Sequence, residues 1–197
     1  MHQLLSVISL IVDFHNHFYP KPYIDELKRR EGYASVEKDS VGRLLIRYVG
    51  DYNIVVGPHV NLDDRIRAMD KHGIDMQVLT LTTPGVEREH VDRGIKLARL
   101  TNDEFGRIAE KYRDKFTALA TLPLQDPEAA TEELERAVKE CGLKGAMLLS
   151  NVNGKPLDSE EFVPVYEEAA RLDVPLLIHP TSPINQTHMD DYRLVPI

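Results

Sequence analysis

The stretch Leu10-Ile11-Val12-Asp13-Phe14-His15-Asn16-His17-Phe18-Tyr19-Pro20 runs from an apolar segment into a pair of histidines and stops at a proline. A near-continuous apolar run is what a strand covered on both faces presents, and proline cannot continue a sheet ladder. Residues 10–15 therefore read as a buried strand. Side chains two apart on extended backbone share a face, so His15 and His17 leave the end of that strand together.

Outward from this strand the same kind of run recurs at 74–81, 116–122, 143–150 and 174–179, separated by amphipathic stretches at 63–72, 87–112, 127–141 and 159–172. Strands alternating with helices of this length predict βαβ units on a parallel sheet. The punctuation agrees. Asp126-Pro127 and Asp158-Ser159 supply helix starts, and Gly73 and Gly142 stand where a helix ends in a left-handed residue. Residues 32–58 break the rhythm, with Gly32, Gly42, Gly50 and Gly57 around short β-type runs, and read as a small β-hairpin inserted after the first strand. In a β/α barrel such an insertion sits at the strand C-termini, where the loops build the active site. The chain, 1–197, is read as a single domain with no internal repeat or linker.

Composition narrows the function classes. A net charge of −8 and only short basic runs, such as Lys28-Arg29-Arg30, exclude a phosphate-binding face for nucleic acid. One cysteine, Cys141, excludes an internal disulfide and a multi-thiolate metal site, which fits a reducing, cytoplasmic setting. The apolar start, residues 1–12, lacks a basic leader region and a small-residue cleavage site, and falls short of the ~20 residues that span a bilayer. Its first few residues read as a frayed terminus.

The chemistry lies at the strand ends. Val174-Pro175-Leu176-Leu177-Ile178-His179-Pro180 repeats the opening pattern, an apolar strand ending in histidine and stopped by proline. His15, His17 and His179 at one mouth make three neutral nitrogen donors, suited to Zn²⁺ or another borderline divalent ion such as Mn²⁺, Co²⁺ or Fe²⁺.

With these residues in view, the chain resembles the amidohydrolase superfamily, in particular the branch around aminocarboxymuconate-semialdehyde decarboxylase. The likeness rests on Asp13-Phe14-His15-Asn16-His17, on Asp64-Arg65-Ile66-Arg67-Ala68-Met69-Asp70-Lys71-His72-Gly73, on Ala120-Thr121-Leu122-Pro123-Leu124-Gln125, on residues 142–153 and on His179-Pro180. It implies a (β/α)8 TIM-type barrel, of which about five units are present, and roughly a hundred or more further residues, since such barrels take about 250. It also implies one metal ion held by the first-strand pair, a strand-five histidine and a strand-eight aspartate, with a strand-six histidine as proton carrier; the last two would lie beyond residue 197. Binuclear relatives carry a lysine at the end of strand four, where Leu149-Ser150 stands here, so a single metal is expected. The implied activity is non-oxidative decarboxylation of a small carboxylated substrate, muconate-semialdehyde-like or aromatic, in a chain that can pair as a homodimer. Hydrolysis or hydration of a small amide, ester or lactone by the same centre is the alternative, and a catalytically incomplete fragment is the other. Thr181-Ser182-Pro183 after His179 departs from the aromatic residue found in the decarboxylases, which leaves substrate identity open.

Several other residues have a candidate role beside a plainer one. Arg47, with Arg43, could fork onto a substrate carboxylate from the insertion, or belong to a solvated face. Asn151 and Asn153 follow the fourth strand and could bond substrate, although Asn153-Gly154 is a turn signal. His59 reads as an exposed loop residue, His72 and His90 as surface helix residues, His188 as part of a lid or helix start, and Cys141 as a small packing residue.

Overall fold

The computed structural model describes residues 10–181. In chain order it contains β1 (Val12–His17), α1 (Lys21–Leu27), β2 (Ser35–Lys38), β3 (Leu44–Tyr48), β4 (Asp51–Val55), α2 (Gly57–Val60), α3 (Leu62–His72), β5 (Met76–Thr80) and α4 (Val91–Lys111). There follow β6 (Phe116–Ala118), β7 (Ala120–Thr121), α5 (Pro127–Lys139), β8 (Ala146–Leu149), β9 (Asn151–Val152), β10 (Lys155–Pro156), α6 (Val163–Arg171) and β11 (Leu176–His179).

β1 pairs with β5, β5 with β6, β7 with β8 and β8 with β11, every time in parallel. β6 and β7 are two halves of one extended segment, in which Leu119 N–H still reaches Leu79 O at 3.0 Å while Ala120 N–H has turned to Gly145 O at 2.8 Å. The sheet is thus one arc in sequence order, with α3, α4, α5 and α6 as its crossovers. The five predicted strands and the four helices between them are present, and among the described residues the arc does not close into a full barrel.

Alternation along the strands divides the core. Leu79, Phe116, Ala118, Ala120, Ala146 and Leu148 face the helices and join the large cluster with Met69, Leu97, Phe105, Leu134 and Val165. Val78, Leu119, Met147 and Leu149 face the other way, and with Val12 and Leu177 form a separate inner layer, the beginning of a barrel interior.

Local chemistry sets the helix ends. Asn61 caps α3 by accepting the Asp64 N–H at 3.0 Å, Asp126 caps α5 by accepting the Ala129 N–H at 3.1 Å, and Gly73 closes α3 at φ 67°. Each such side-chain cap stabilises its helix by about 1 kcal/mol. At the last helix the expected cap fails: the Ser159 hydroxyl donates back to Pro156 O, a 3-10 turn covers Glu160–Phe162, and α6 begins only at Val163.

The insertion after β1 is larger than a hairpin. β2, β3 and β4 form a three-stranded antiparallel sheet, and α1 precedes it. β2 reads Ser-Val-Glu-Lys and buries only Val36, so its apolar signal is a single residue; α1 is short and opens on Pro22. The sheet is latched to the loop after β5 by Asn53, whose amide donates to Tyr19 Oη at 2.9 Å and to Thr83 O at 2.5 Å. No helix among the described residues is long and apolar enough to cross a membrane.

Gly145 sits where β8 begins, at φ 142°, with its Cα packed on the neighbouring strand: a Cβ there would stand 2.2 Å from Pro175 O. The same carbonyl accepts the Ala146 N–H at 3.2 Å, so β11 is held to β8 at this point.

Candidate metal centre

β1 does not keep a simple register on β5. Val12 and Asp13 pair with Met76 and Gln77, but Asn16 and His17 pair with Leu79 and Thr80, so β1 carries one extra residue between Asp13 and Asn16. A bulge of this kind reverses which face the following residues occupy. Val12 belongs to the inner layer. Strict alternation from Val12 would send His15 and His17 towards the helices; with the bulge they turn inward instead, His17 beside Thr80. Phe14 takes up the irregularity and is left 60% exposed. On β11, His179 follows the inward-facing Leu177 by two residues and needs no such device.

The three imidazoles converge. His179 Nε2 lies 3.2 Å from His15 Nε2 and 3.1 Å from His17 Nε2, and candidate ligand atoms of all three lie within 4.8 Å of one another. The strands bearing them, β1 and β11, are the first and last of the arc among the described residues, and the bulge in β1 turns its two histidines towards His179.

Hydrogen bonds on the far side of two rings fix their tautomers. The Thr80 hydroxyl donates its proton to Asn16 O at 2.7 Å, so it must accept from His17 Nδ1, 3.0 Å away. His179 Nδ1 faces Pro180 O at 2.7 Å, and a carbonyl can only accept. Both rings are therefore protonated at Nδ1 and direct the Nε2 lone pair into the cluster. Burial, then the neighbouring His179 and His15, pushes the His17 pKa down to about 3; burial also lowers that of His179. Neutral rings with facing lone pairs 3.1 Å apart repel unless a cation lies between them. Nitrogens bound at 2.0–2.1 Å to one tetrahedral ion stand roughly 3.3 Å apart, so donor type, tautomer and spacing all fit a divalent metal.

Arg65, on α3, lies behind this site. It is 4% exposed, and its guanidinium donates to Asn16 Oδ1 at 2.8 Å, Gln77 Oε1 at 2.9 Å, Pro58 O at 2.8 Å and His17 O. Among the described residues no carboxylate touches it directly. Gln77 relays it to Asp13 Oδ2 at 2.8 Å, and burial lowers its pKa to about 10. Sequence pattern did not single out Arg65 or Thr80, because both act through tertiary contacts with no spacing signature.

Of the other candidates, Arg47 pairs with Glu37 across the inserted sheet and stacks over Tyr52 at 5.4 Å. Arg43 pairs with Asp39 at 2.6 Å. Asn151 is buried in β9 and its Oδ1 accepts the Gly154 N–H at 3.1 Å, while Asn153, at φ 53°, makes the expected turn and donates to Glu87 O at 2.8 Å. His59 is not an exposed loop residue: it is half-buried in α2, edge-on to Tyr19 at 6.3 Å, and near enough to His17 to help depress its pKa. His72 and His90 are exposed, Cys141 packs partly buried against the core, and His188 lies outside the described residues, as does the chain start. A cleft lined by Arg107, Arg113, Cys141 and Lys144 lies at the opposite ends of the strands, against Met76 and Phe116.

Known proteins share this sequence pattern and fold. The chain is 40% identical over 134 residues to a gamma-resorcylate decarboxylase of Rhodococcus jostii, an alignment covering 63% of this chain and 41% of that protein. It is 30% identical over 192 residues to the 2-amino-3-carboxymuconate-6-semialdehyde decarboxylase of Dictyostelium discoideum, covering 94% and 53% respectively. A crystal structure of 5-carboxyvanillate decarboxylase from Novosphingobium aromaticivorans, complexed with manganese and 4-hydroxy-3-methoxy-5-nitrobenzoic acid, superposes with a TM-score of 0.74 at 30% identity, over 94% of this chain and 55% of that one. The chain thus spans about half the length of the relatives it matches. Because the family model for amidohydrolases matches residues 12–196, nearly the whole sequence, the chain belongs to the amidohydrolase family.

Proposed function

We propose that His15, His17 and His179 are ligands of a single divalent metal in an enzyme that removes a carboxylate, as carbon dioxide, from a small aromatic acid. The observation that carries the metal reading is the pair of fixed tautomers, which leaves two Nε2 lone pairs 3.1 Å apart. The aromatic substrate class is inferred from the relatives named for decarboxylation of resorcylate and carboxyvanillate; the relative named for aminocarboxymuconate semialdehyde supports decarboxylation of a non-aromatic acid by the same family. Manganese in the solved relative makes Mn²⁺ the metal to test beside Zn²⁺.

A bound metal would supply a positive centre that orients the substrate's oxygens and stabilises negative charge as the C–C bond breaks. The bond pair stays on the ring carbon, which takes up a proton while carbon dioxide leaves. The chain's own contribution is to hold three imidazoles in place: Thr80 and Pro180 O orient His17 and His179 through their Nδ1–H groups. The apolar inner layer of Val78, Leu119, Met147 and Leu149 lies below them and excludes water from that side. We place the protein in the cytoplasm, and assign the proton donor to none of the described residues.

The test is metal analysis of the purified protein together with turnover of 2,6-dihydroxybenzoate and 5-carboxyvanillate, followed by carbon dioxide release. One metal per chain and release of carbon dioxide are expected. Cleavage of lactones or amides without carbon dioxide would move the assignment to hydrolysis by the same centre. Metal content unchanged in a His179→Ala variant would overturn the site itself.

A further inference from the structure

We infer that Arg65 is a positioning residue for the metal centre, acting through the bulge in β1. The inference rests on the metal reading above.

The bulge decides whether His15 and His17 face inward, and it is costly on its own, because an extra residue in one strand leaves backbone groups without ladder partners. Two side chains on the helix side supply what the ladder lacks. The Asn16 amide donates to Asp13 O and to Val78 O, both at 3.0 Å, closing the loop of the bulge on itself and on β5. Arg65 then holds Asn16 Oδ1, the carbonyl of His17 and Gln77 Oε1 with one rigid fork. It is fixed in turn by Pro58 O and by packing over Phe18 at 5.4 Å.

A cation is a peculiar choice for this place. Burying it costs free energy, no carboxylate among the described residues meets it directly, and it stands behind a site suited to another cation. A neutral side chain would avoid all three. What the guanidinium adds is geometry, because several donors in one plane can bind several carbonyl-type oxygens at once. An ammonium on the same helix position is a single point and cannot span Asn16, Gln77, His17 and Pro58 together. The charge is thus tolerated for the sake of the fork, and the fork sets the parity of β1.

The experiment is a double-mutant cycle in metal affinity. Co²⁺ is titrated into wild type, Arg65→Lys, His15→Ala and the double variant, with the visible Co²⁺ band and urea unfolding of each metal-free protein as companion measurements. Arg65→Lys is expected to weaken Co²⁺ binding by about tenfold or more, the range seen when groups that orient metal-bound histidines are removed, and to change the Co²⁺ band. In the His15→Ala background the same change should cost less, since one of the two imidazoles that the bulge aims is already gone. Equal losses in both backgrounds would show that Arg65 acts through general stability, and would overturn the inference while leaving the metal site standing. Wild-type affinity and an unchanged band in Arg65→Lys would do the same. If the wild-type protein takes up no Co²⁺, Zn²⁺ or Mn²⁺, the metal reading fails and this inference with it. Should Arg65→Lys not fold, Asn16→Ala, which leaves the guanidinium its contacts to Gln77, His17 and Pro58, is expected to give the same pattern.

Discussion

His17 Nδ1 stands 3.0 Å from Thr80 Oγ1, and the hydroxyl proton of Thr80 is already committed to Asn16 O. One hydroxyl therefore does two things: it fixes which nitrogen of His17 carries the proton, and it ties the end of β1 to β5. Replacement by valine keeps the β-branched shape and removes both. Thr80→Val is expected to fold, to lose about 1–2 kcal/mol of stability, and to weaken metal binding by roughly 10–100-fold. Isothermal titration with Zn²⁺ or Mn²⁺ and a thermal melt of the metal-free protein measure the two effects separately.

Metal and fold should be thermodynamically linked, because the three imidazoles come from the first and last strands of the arc. A ligand at a hundred times its Kd stabilises a folded protein by about 2.7 kcal/mol. Thermal melts are expected to fall on adding a chelator, and His179→Ala to melt at the same temperature with and without it. A chelator effect of equal size in both proteins would contradict the assignment.

Glu87 gives a pH dependence of a different origin. It is 3% exposed, its carboxyl packs against Gly85, where a Cβ would stand 2.2 Å from Oε2, and its pKa is raised to about 7 by burial, partly offset by the N–H groups of Glu87 and Val86. The folded state then holds a proton that the unfolded state, near 4.5, has released. Stability from this group is complete below pH 4.5, falls as pH rises towards 7, and is flat beyond, a span on the order of 3 kcal/mol. Urea unfolding at a series of pH values should show the slope in wild type and its loss in Glu87→Gln.

Asn102 is fully buried on α4 and serves as a substitute strand partner. Its amide donates to Thr121 O at 3.0 Å and to Glu133 at 2.7 Å, and its oxygen accepts the Thr121 N–H at 2.9 Å. This is where the segment from β6 to β7 changes neighbours. Asn102→Ala leaves the Thr121 N–H and carbonyl without this partner and takes one donor from Glu133, which keeps its pairing with Arg136, and should cost about 2–4 kcal/mol in urea unfolding.

The strands and the histidines were legible because they depend on short-range pattern. Apolar runs marked the buried strands, and a histidine before a proline marked both rims. The bulge was not legible. Its evidence is a change of parity between Val12 and His15, and in Val-Asp-Phe-His nothing tells an observer which of Asp13 or Phe14 faces inward. Arg65 was hidden for the same reason, since its partners lie 7 to 49 residues away and share no periodicity with it. β2 was missed because one buried valine among Ser35, Glu37 and Lys38 is too little apolar signal for a strand. Apolar pattern alone therefore gives a hairpin there, and the pairing of β2 with β3 makes it a three-stranded sheet.

Gly145 is neither ligand nor neighbour of a ligand, yet the centre is hostage to its codon. A side chain there would meet Pro175 O at 2.2 Å, and Pro175 leads within four residues to His179. Every glycine codon is one base from one for alanine. A genetic screen for loss of metal binding should accordingly recover position 145 among its hits, and the lesion would map to the base of the strand while its phenotype is felt at the rim.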